Sequence, residues 1–117
     1  MKPERSIAPV FWLLFGAGGM LAALFGPGLI IVTGLLAPQG LGFRADYARV
    51  LALVQNPIGK VVLLGVIALF FWHAAERIFL TLKDMRAGPV LALRMATYGL
   101  AAVMSLATIA LLIAIGF

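Results

Sequence analysis

Residues 61–82, VVLLGVIALFFWHAAERIFLTL, have the length and composition of a membrane-spanning helix, yet they contain His73, Glu76 and Arg77. The offsets of three and four residues place these side chains on one helical face. Charge inside a span is costly, so it usually faces the bundle interior and serves a ligand, ion or proton path. Alternatively, Arg77 only extends to the headgroups, since Lys83 marks a membrane edge six residues later.

The composition is that of an integral membrane protein. Of the 117 residues, 64% are hydrophobic, and the mean hydropathy is +1.15. Neither residues 6–43 nor residues 95–117 contain a charged side chain. Both runs are longer than the roughly 20 residues that cross a bilayer. A soluble chain of this size could not bury so much apolar surface.

Several classes of chemistry are excluded for this chain on its own. It has no cysteine, which rules out disulfides, thiol catalysis and cysteine-ligated iron–sulfur clusters. One histidine cannot supply both axial ligands of a bis-histidine haem, and no Gly-rich phosphate loop, metal-binding motif or nucleophile elbow is present. We therefore expect no catalytic centre and no metal site. The net charge of +5 comes from residues that flank apolar runs, so we expect lipid contact and no nucleic-acid partner.

The pattern predicts an all-α membrane protein, with residues 1–117 forming one transmembrane domain. The three predicted transmembrane helices cover about residues 10–36, 58–82 and 90–115. Pro27 lies between two glycines and predicts a kink or local unwinding of the first span. In the first loop, residues 46–55 predict a short amphipathic helix in the membrane interface, before a turn at Asn56-Pro57.

Flanking charge predicts the orientation. Five cations lie in the N-terminus and second loop: Lys2, Arg5, Lys83, Arg86 and Arg94. Three lie at the first loop: Arg44, Arg49 and Lys60. The positive-inside rule therefore places the N-terminus in the cytoplasm and the C-terminus outside. Trp12 and Arg77 then both fall about 9–10 Å in from cytoplasmic charges, at the depth of a pocket for a flat amphipathic ligand.

Two surfaces are suited to close helix packing. The first span carries small residues at Gly16, Gly18, Gly19, Ala22, Ala23 and Gly26. The third span carries Thr97, Ala101, Ser105 and Thr108. These faces either pack within the chain or receive another protein. Three helices cannot easily cover both faces and bury Arg77, so we expect at least one further helical partner.

Residues 9–20, PVFWLLFGAGGM, closely resemble the first span of the D subunit of membrane-bound fumarate reductase (quinol–fumarate oxidoreductase). The resemblance continues nearly to the end of the chain, through YARVLA at 47–52, IGKV at 58–61, Trp72, Arg77, Lys83-Asp84 and YGLAA at 98–102. It implies a hydrophobic membrane anchor in the bacterial inner (cytoplasmic) membrane, within a four-subunit complex.

The resemblance also implies the partners and cofactors. A second three-span anchor, the family's C subunit, pairs with this chain, and the two hold a flavoprotein (the A subunit) and an iron–sulfur protein (the B subunit) at the membrane. Menaquinol is oxidised where the anchor meets the iron–sulfur protein, and its electrons pass through iron–sulfur clusters to FAD, where fumarate becomes succinate. The FAD and clusters belong to the partner proteins, and no haem is expected.

Trp12, Phe15, Gly16 and Arg77 match the positions at which the family lines its quinone pocket. Flat aromatic walls and a glycine that admits a ring suit a quinone, and the arginine can donate hydrogen bonds to its oxygen. An arginine cannot accept the proton, because it does not deprotonate in proteins. The chain departs from the family pattern at Glu76 and His73. Each of these serves either a proton path or an ion pair.

Three rival interpretations stay open. An anchor of succinate dehydrogenase has similar architecture and works in the opposite direction, although it normally needs a haem-ligating histidine deep in a span. A small transporter or channel subunit would use Glu76 and Arg77 as a coupling pair, but the sequence shows no inverted repeat. A pure scaffold would leave the quinone site to another chain.

Overall fold

The computed structural model describes residues 6–41 and 47–117, and within these ranges the chain is helical and has no strand. Helix α1 spans Ala8–Ile30 and continues as a π-helix over Ile31–Leu36 and a 3₁₀ turn over Ala37–Gln39. The short α2 spans Tyr47–Gln55, α3 spans Pro57–Asp84 and α4 spans Val90–Ala114.

Three of these helical segments are long and apolar enough to cross a membrane: Ala8–Gln39, Pro57–Asp84 and Val90–Ala114. At about 1.5 Å per residue, α3 alone extends over about 42 Å, which exceeds the roughly 30 Å hydrocarbon layer. The predicted all-α class with three transmembrane helices and a short helix in the first loop is therefore confirmed. Residue Asp46, with which the predicted short helix begins, lies outside the described residues.

The first span departs from α-helical geometry one turn later than the sequence predicts. The α-helix runs through Pro27 without interruption to Ile30, and the π-helical turn begins at Ile31. Proline lacks the N–H that would bond to the carbonyl four residues earlier. Helices next to such a defect often absorb it as a single π-helical turn. The change of geometry therefore lies at residues 31–36.

Helix α3 begins at a side-chain cap. The Oδ1 atom of Asn56 accepts hydrogen bonds from the backbone N–H groups of Ile58 at 2.9 Å and Gly59 at 3.3 Å. Pro57 occupies the first turn, where a missing N–H costs nothing. At Gly59, a Cβ atom would clash with the carbonyl oxygen of Leu53, so the close packing of α2 on α3 requires glycine. Cap and glycine together set the sharp turn between the two helices.

Helix α3 is the central element, because α4 packs extensively along it and α1 packs on it separately. The residues buried in α3 and α4 include Ala75, Phe79, Thr97 and Ala101. Two residues of the small-residue face of the third span, Thr97 and Ala101, are thus buried by packing within the chain. Gly18 of α1 is buried as well, whereas a Cβ at Gly16 or Gly26 would meet nothing within 4 Å. Large apolar side chains are exposed along all three long helices.

Candidate functional site

A cavity of about 410 Å³ opens where α1, α3 and α4 come together. Its walls are mainly apolar and aromatic, as is typical of sites for small organic ligands. Four of its side chains also carry a polar group. The lining residues are Phe11, Trp12, Leu14, Phe15, Gly65, Ala68, Leu69, Trp72, Glu76 and Tyr98.

Helix α1 contributes the aromatic wall that the sequence predicts. Trp12 and Phe15 are one helical turn apart, and their rings meet edge to face with centroids 5.9 Å apart and planes at 86°. Phe15 is half-buried, whereas Trp12 keeps 68% of its surface exposed. The wall is therefore packed on its inner side and open on its outer side, where a ligand dissolved in the membrane can approach.

Helix α3 contributes the opposite wall. Gly65, Ala68, Leu69, Trp72 and Glu76 are separated by one to four residues, which places them along one helical face. The two small residues leave space beside the aromatic rings, and a Cβ at Gly65 would meet nothing within 4 Å. The carboxylate of Glu76 is at the end of this face, so the wall changes from apolar to charged along its length.

Arg77 lies next to the cavity and is not one of its lining residues. Its guanidinium carbon is 5.4 Å from the centroid of the Phe15 ring, within the range of a cation–π contact. Trp12 and Arg77 therefore both contact the same aromatic side chain, one from α1 and the other from α3. The structure brings together three of the four residues predicted to bind quinone.

Gly16 is the one residue predicted to bind quinone that is not part of the cluster of Trp12, Phe15 and Arg77 in the structure. It does not line the cavity, and a Cβ there would meet nothing within 4 Å. Its surface is exposed on α1. Within residues 6–41 and 47–117, no other helix therefore approaches Gly16 closely.

His73 joins α1 to α3 directly. Its Nδ1–H donates to the backbone carbonyl oxygen of Phe15 at 2.9 Å, since a carbonyl can only accept. The imidazole also stacks on the Phe15 ring, with centroids 4.5 Å apart and planes at 21°. A Cβ at Gly19 would lie 2.7 Å from Cε1 of this ring, so the glycine leaves room for it.

Glu76 is half-buried and faces the cavity. Throughout residues 6–41 and 47–117, its carboxylate has no hydrogen-bond or ion-pair partner, Arg77 included. Adjacent residues of a helix point in different directions, which separates the two side chains. The ion pair between neighbours that the sequence suggests as one alternative is not formed within the described part of the chain.

Trp72 and Tyr98 also line the cavity, although neither is among the site residues that the sequence predicts. Their ring centroids are 5.8 Å apart, and Tyr98 is 6.0 Å from Phe79, whose ring lies 5.2 Å from the guanidinium carbon of Arg94. An aromatic row thus leads from the cavity along the contact of α3 with α4. The sequence does contain one indication for Trp72: it lies four residues before Glu76, and this spacing places the two side chains on the same face of α3. No signal in the sequence indicates which face of α4 meets α3.

No group of three or more His, Cys, Asp and Glu side chains that could hold a metal ion occurs within the described ranges. The cavity instead combines aromatic faces, one carboxylate, two indole N–H groups and a phenol. Such a set suits a flat organic ligand with a polar edge.

The fold and the cavity define a small multi-pass membrane protein with an aromatic ligand pocket between its spans. The sequence matches the family model for the D subunit of fumarate reductase over residues 2–113, so the chain belongs to that family. Several relatives carry the same name. One from Vibrio cholerae is 37% identical over 106 residues, which cover 89% of this chain and 82% of the relative.

Two other relatives show how the similarity is distributed. The fumarate reductase D subunit of Aliivibrio salmonicida is 36% identical over 111 residues, which cover 93% of this chain and 92% of that protein. The protein of the same name from Mycobacterium tuberculosis is 46% identical over 74 residues, which cover 63% of this chain and 59% of that protein. Similarity to the Aliivibrio protein thus extends over nearly the whole length of both chains.

Proposed function

We propose that this chain is the membrane-anchor subunit of a quinol–fumarate reductase complex and that it forms part of the menaquinol-oxidation site. Membership of the fumarate reductase D family supports the anchor role. The observation that carries the quinol site is the cluster of Trp12, Phe15 and Arg77 beside an apolar cavity between α1 and α3. In this proposal, the anchor lies in the bacterial inner membrane with its N-terminus in the cytoplasm.

The partners supply everything that the anchor lacks. A flavoprotein with FAD and an iron–sulfur protein dock at the membrane face, and a second three-span anchor pairs with this chain. No haem belongs to this pair. The chain contains no cysteine to hold a cluster, so electrons leave the quinol for a centre in the iron–sulfur protein. The large exposed apolar surfaces of α1 and α4 suit lipid and a second anchor.

Each site residue has a distinct physical role. Trp12 and Phe15 provide aromatic faces against which a quinone ring stacks, with a gain of about 0.5–1.5 kcal/mol for a well-placed aromatic pair. Gly16 presents bare backbone to a ring that enters from the partner side. Arg77 can exchange its contact with Phe15 for a hydrogen bond to a quinone oxygen, where it stabilises developing negative charge.

The test compares two arginine variants of the purified complex. Arg77→Leu removes the guanidinium beside Phe15, and Arg94→Leu removes a matched guanidinium that lies over Phe79, away from the cavity. Fumarate reduction is measured with menaquinol and, separately, with a soluble reduced dye. We expect Arg77→Leu to lose quinol-driven activity by about tenfold or more, the scale of one lost hydrogen bond to a charged group, with dye-driven activity intact.

Normal quinol-driven turnover in Arg77→Leu would overturn the quinone-site proposal and leave Arg77 as a structural residue. Equal losses in both arginine variants would show a general electrostatic effect of the cytoplasmic cations. If the unmodified chain does not co-purify with a flavoprotein and an iron–sulfur protein, the anchor proposal itself is overturned.

A further inference from the structure

Among the residues that line the cavity, only Glu76 has a side chain that is commonly ionised, a carboxylate. This carboxylate has no hydrogen-bond or ion-pair partner among the described residues. It is half-buried between the spans. A carboxylate placed inside a membrane protein is expensive unless something pairs with it. No described side-chain oxygen is both buried and unsatisfied, so the unpaired carboxylate oxygens of Glu76 are not sealed off, and the residue lines the cavity.

The neighbouring charge does not satisfy Glu76. Arg77 follows it directly on α3 but lies over the Phe15 ring. His73, one turn earlier, donates its Nδ1–H to the Phe15 carbonyl. Both basic side chains near Glu76 are thus directed to α1, and the carboxylate is left to whatever occupies the cavity.

The cavity has an uneven set of hydrogen-bonding groups. Trp12 and Trp72 can only donate, through their indole N–H groups, and Tyr98 can donate or accept. The ionised carboxylate of Glu76 can only accept. A ligand that brings a hydroxyl group to this end of the cavity gives the carboxylate a donor. A ligand that brings a carbonyl oxygen to this end leaves it facing the carboxylate, and because both groups only accept hydrogen bonds, neither is satisfied.

We propose that Glu76 determines which redox form of the ligand the cavity prefers, by accepting a hydrogen bond from the hydroxyl of the quinol and disfavouring the quinone. This inference rests on the proposed quinone site. The two forms share the same carbon skeleton and nearly the same shape, so the apolar walls of the cavity, including Trp12 and Trp72, fit both. The discrimination comes from one polar group, and a site built around such a group rejects the analogue that leaves the group unpaired.

The test measures binding of menadiol and menadione to the purified complex under anaerobic conditions by calorimetry. We expect the unmodified complex to bind menadiol about tenfold more tightly, which corresponds to about 1.4 kcal/mol. In Glu76→Gln, the amide can donate as well as accept. The preference for menadiol should then fall to about threefold or less. Asp84→Asn removes a carboxylate from the exposed end of α3 and should leave the preference unchanged.

Glu76→Asp keeps an acceptor on a shorter side chain and serves if the amide variant does not assemble. It should still prefer menadiol, at lower affinity. An unchanged preference in Glu76→Gln, or equal losses for both ligands, would overturn the inference and indicate that Glu76 pairs with a cation of a partner protein. Failure of both ligands to bind the unmodified complex would instead overturn the proposed quinone site, and the inference with it.

Discussion

The imidazole of His73 donates its Nδ1–H to the backbone carbonyl oxygen of Phe15 at 2.9 Å and stacks on the ring of the same residue. One side chain of α3 thus holds both the backbone and the ring of an α1 residue that forms a wall of the cavity. A histidine inside a span suggests a proton carrier or an ion pair when only the sequence is considered. The contacts indicate a residue that positions Phe15.

Replacement of His73 tests this positioning role. In His73→Leu the apolar volume is retained and the donor is lost. We expect the free energy of unfolding to fall by about 1 kcal/mol, the usual net contribution of one hydrogen bond. His73→Gln keeps a side-chain donor and should lose less. Thermal unfolding in detergent micelles ranks the stabilities of the unmodified full-length chain, His73→Gln and His73→Leu. A Leu variant as stable as the unmodified chain would show that the hydrogen bond contributes nothing.

The contact of α1 with α3 also depends on a glycine. At Gly18, a Cβ would lie 2.5 Å from the carbonyl oxygen of Leu69 and 2.8 Å from Cβ of His73. Gly18→Ala must therefore push the helices apart, and overpacking of this kind costs about 1–3 kcal/mol. Gly26→Ala lies on the same helix with open space around its Cβ, so it should be neutral or slightly stabilising. Equal unfolding midpoints for the two variants would contradict this packing.

Much of the fold follows from the sequence, because long uncharged apolar runs leave few alternatives to membrane helices. The short α2 was also predictable, from its amphipathic pattern and the turn at Asn56-Pro57. The contacts of α1 were not. A helix that is apolar on every side does not indicate which face packs on its neighbour, so neither the bond from His73 to Phe15 nor the open space at Gly16 could be predicted. For the same reason the sequence does not identify Tyr98 as a cavity residue.

Lys60 ties the start of α3 to the end of α4. It is buried, its Nζ donates to the carbonyl oxygen of Leu112, and it lies 4.8 Å from the centroid of the Phe117 ring. A cation at a helix C-terminus stabilises the exposed carbonyls of the last turn. Lys60→Met should therefore lower the free energy of unfolding by about 1.5–3 kcal/mol. It should also speed deuterium uptake in residues 113–117. Lys83→Met removes an exposed cation from the last turn of α3, so it should lower the free energy of unfolding by less and leave uptake in residues 113–117 unchanged. Unchanged deuterium uptake in Lys60→Met would show that Lys60 does not stabilise the end of α4.

The predicted orientation can be tested with reporter fusions. Five cations flank the N-terminal and α3–α4 side of the spans, and three flank the other side, so the positive-inside rule predicts a cytoplasmic N-terminus and an outside C-terminus. Alkaline phosphatase is active only after export. A fusion after Phe117 should be active and a fusion after Ala87, in the loop between α3 and α4, should be inactive. The reverse pattern would invert the topology and place the cavity's Glu76 end toward the outside.

The cavity itself is tested by filling it. Gly65 lines its α3 wall, and a Cβ there would meet no atom within 4 Å, so Gly65→Leu projects a branched side chain into the space without forcing the helices apart. We expect the affinity of the purified complex for menaquinol analogues to fall by about tenfold, a loss of about 1.4 kcal/mol, while dye-driven fumarate reduction is unchanged. Gly99→Leu is the matched control, since Gly99 also has open space around its Cβ and does not line the cavity. Binding that is unaffected by Gly65→Leu, or lost equally in both variants, would show that the ligand does not occupy this cavity, because a leucine at position 65 takes up part of the volume that a bound ring requires.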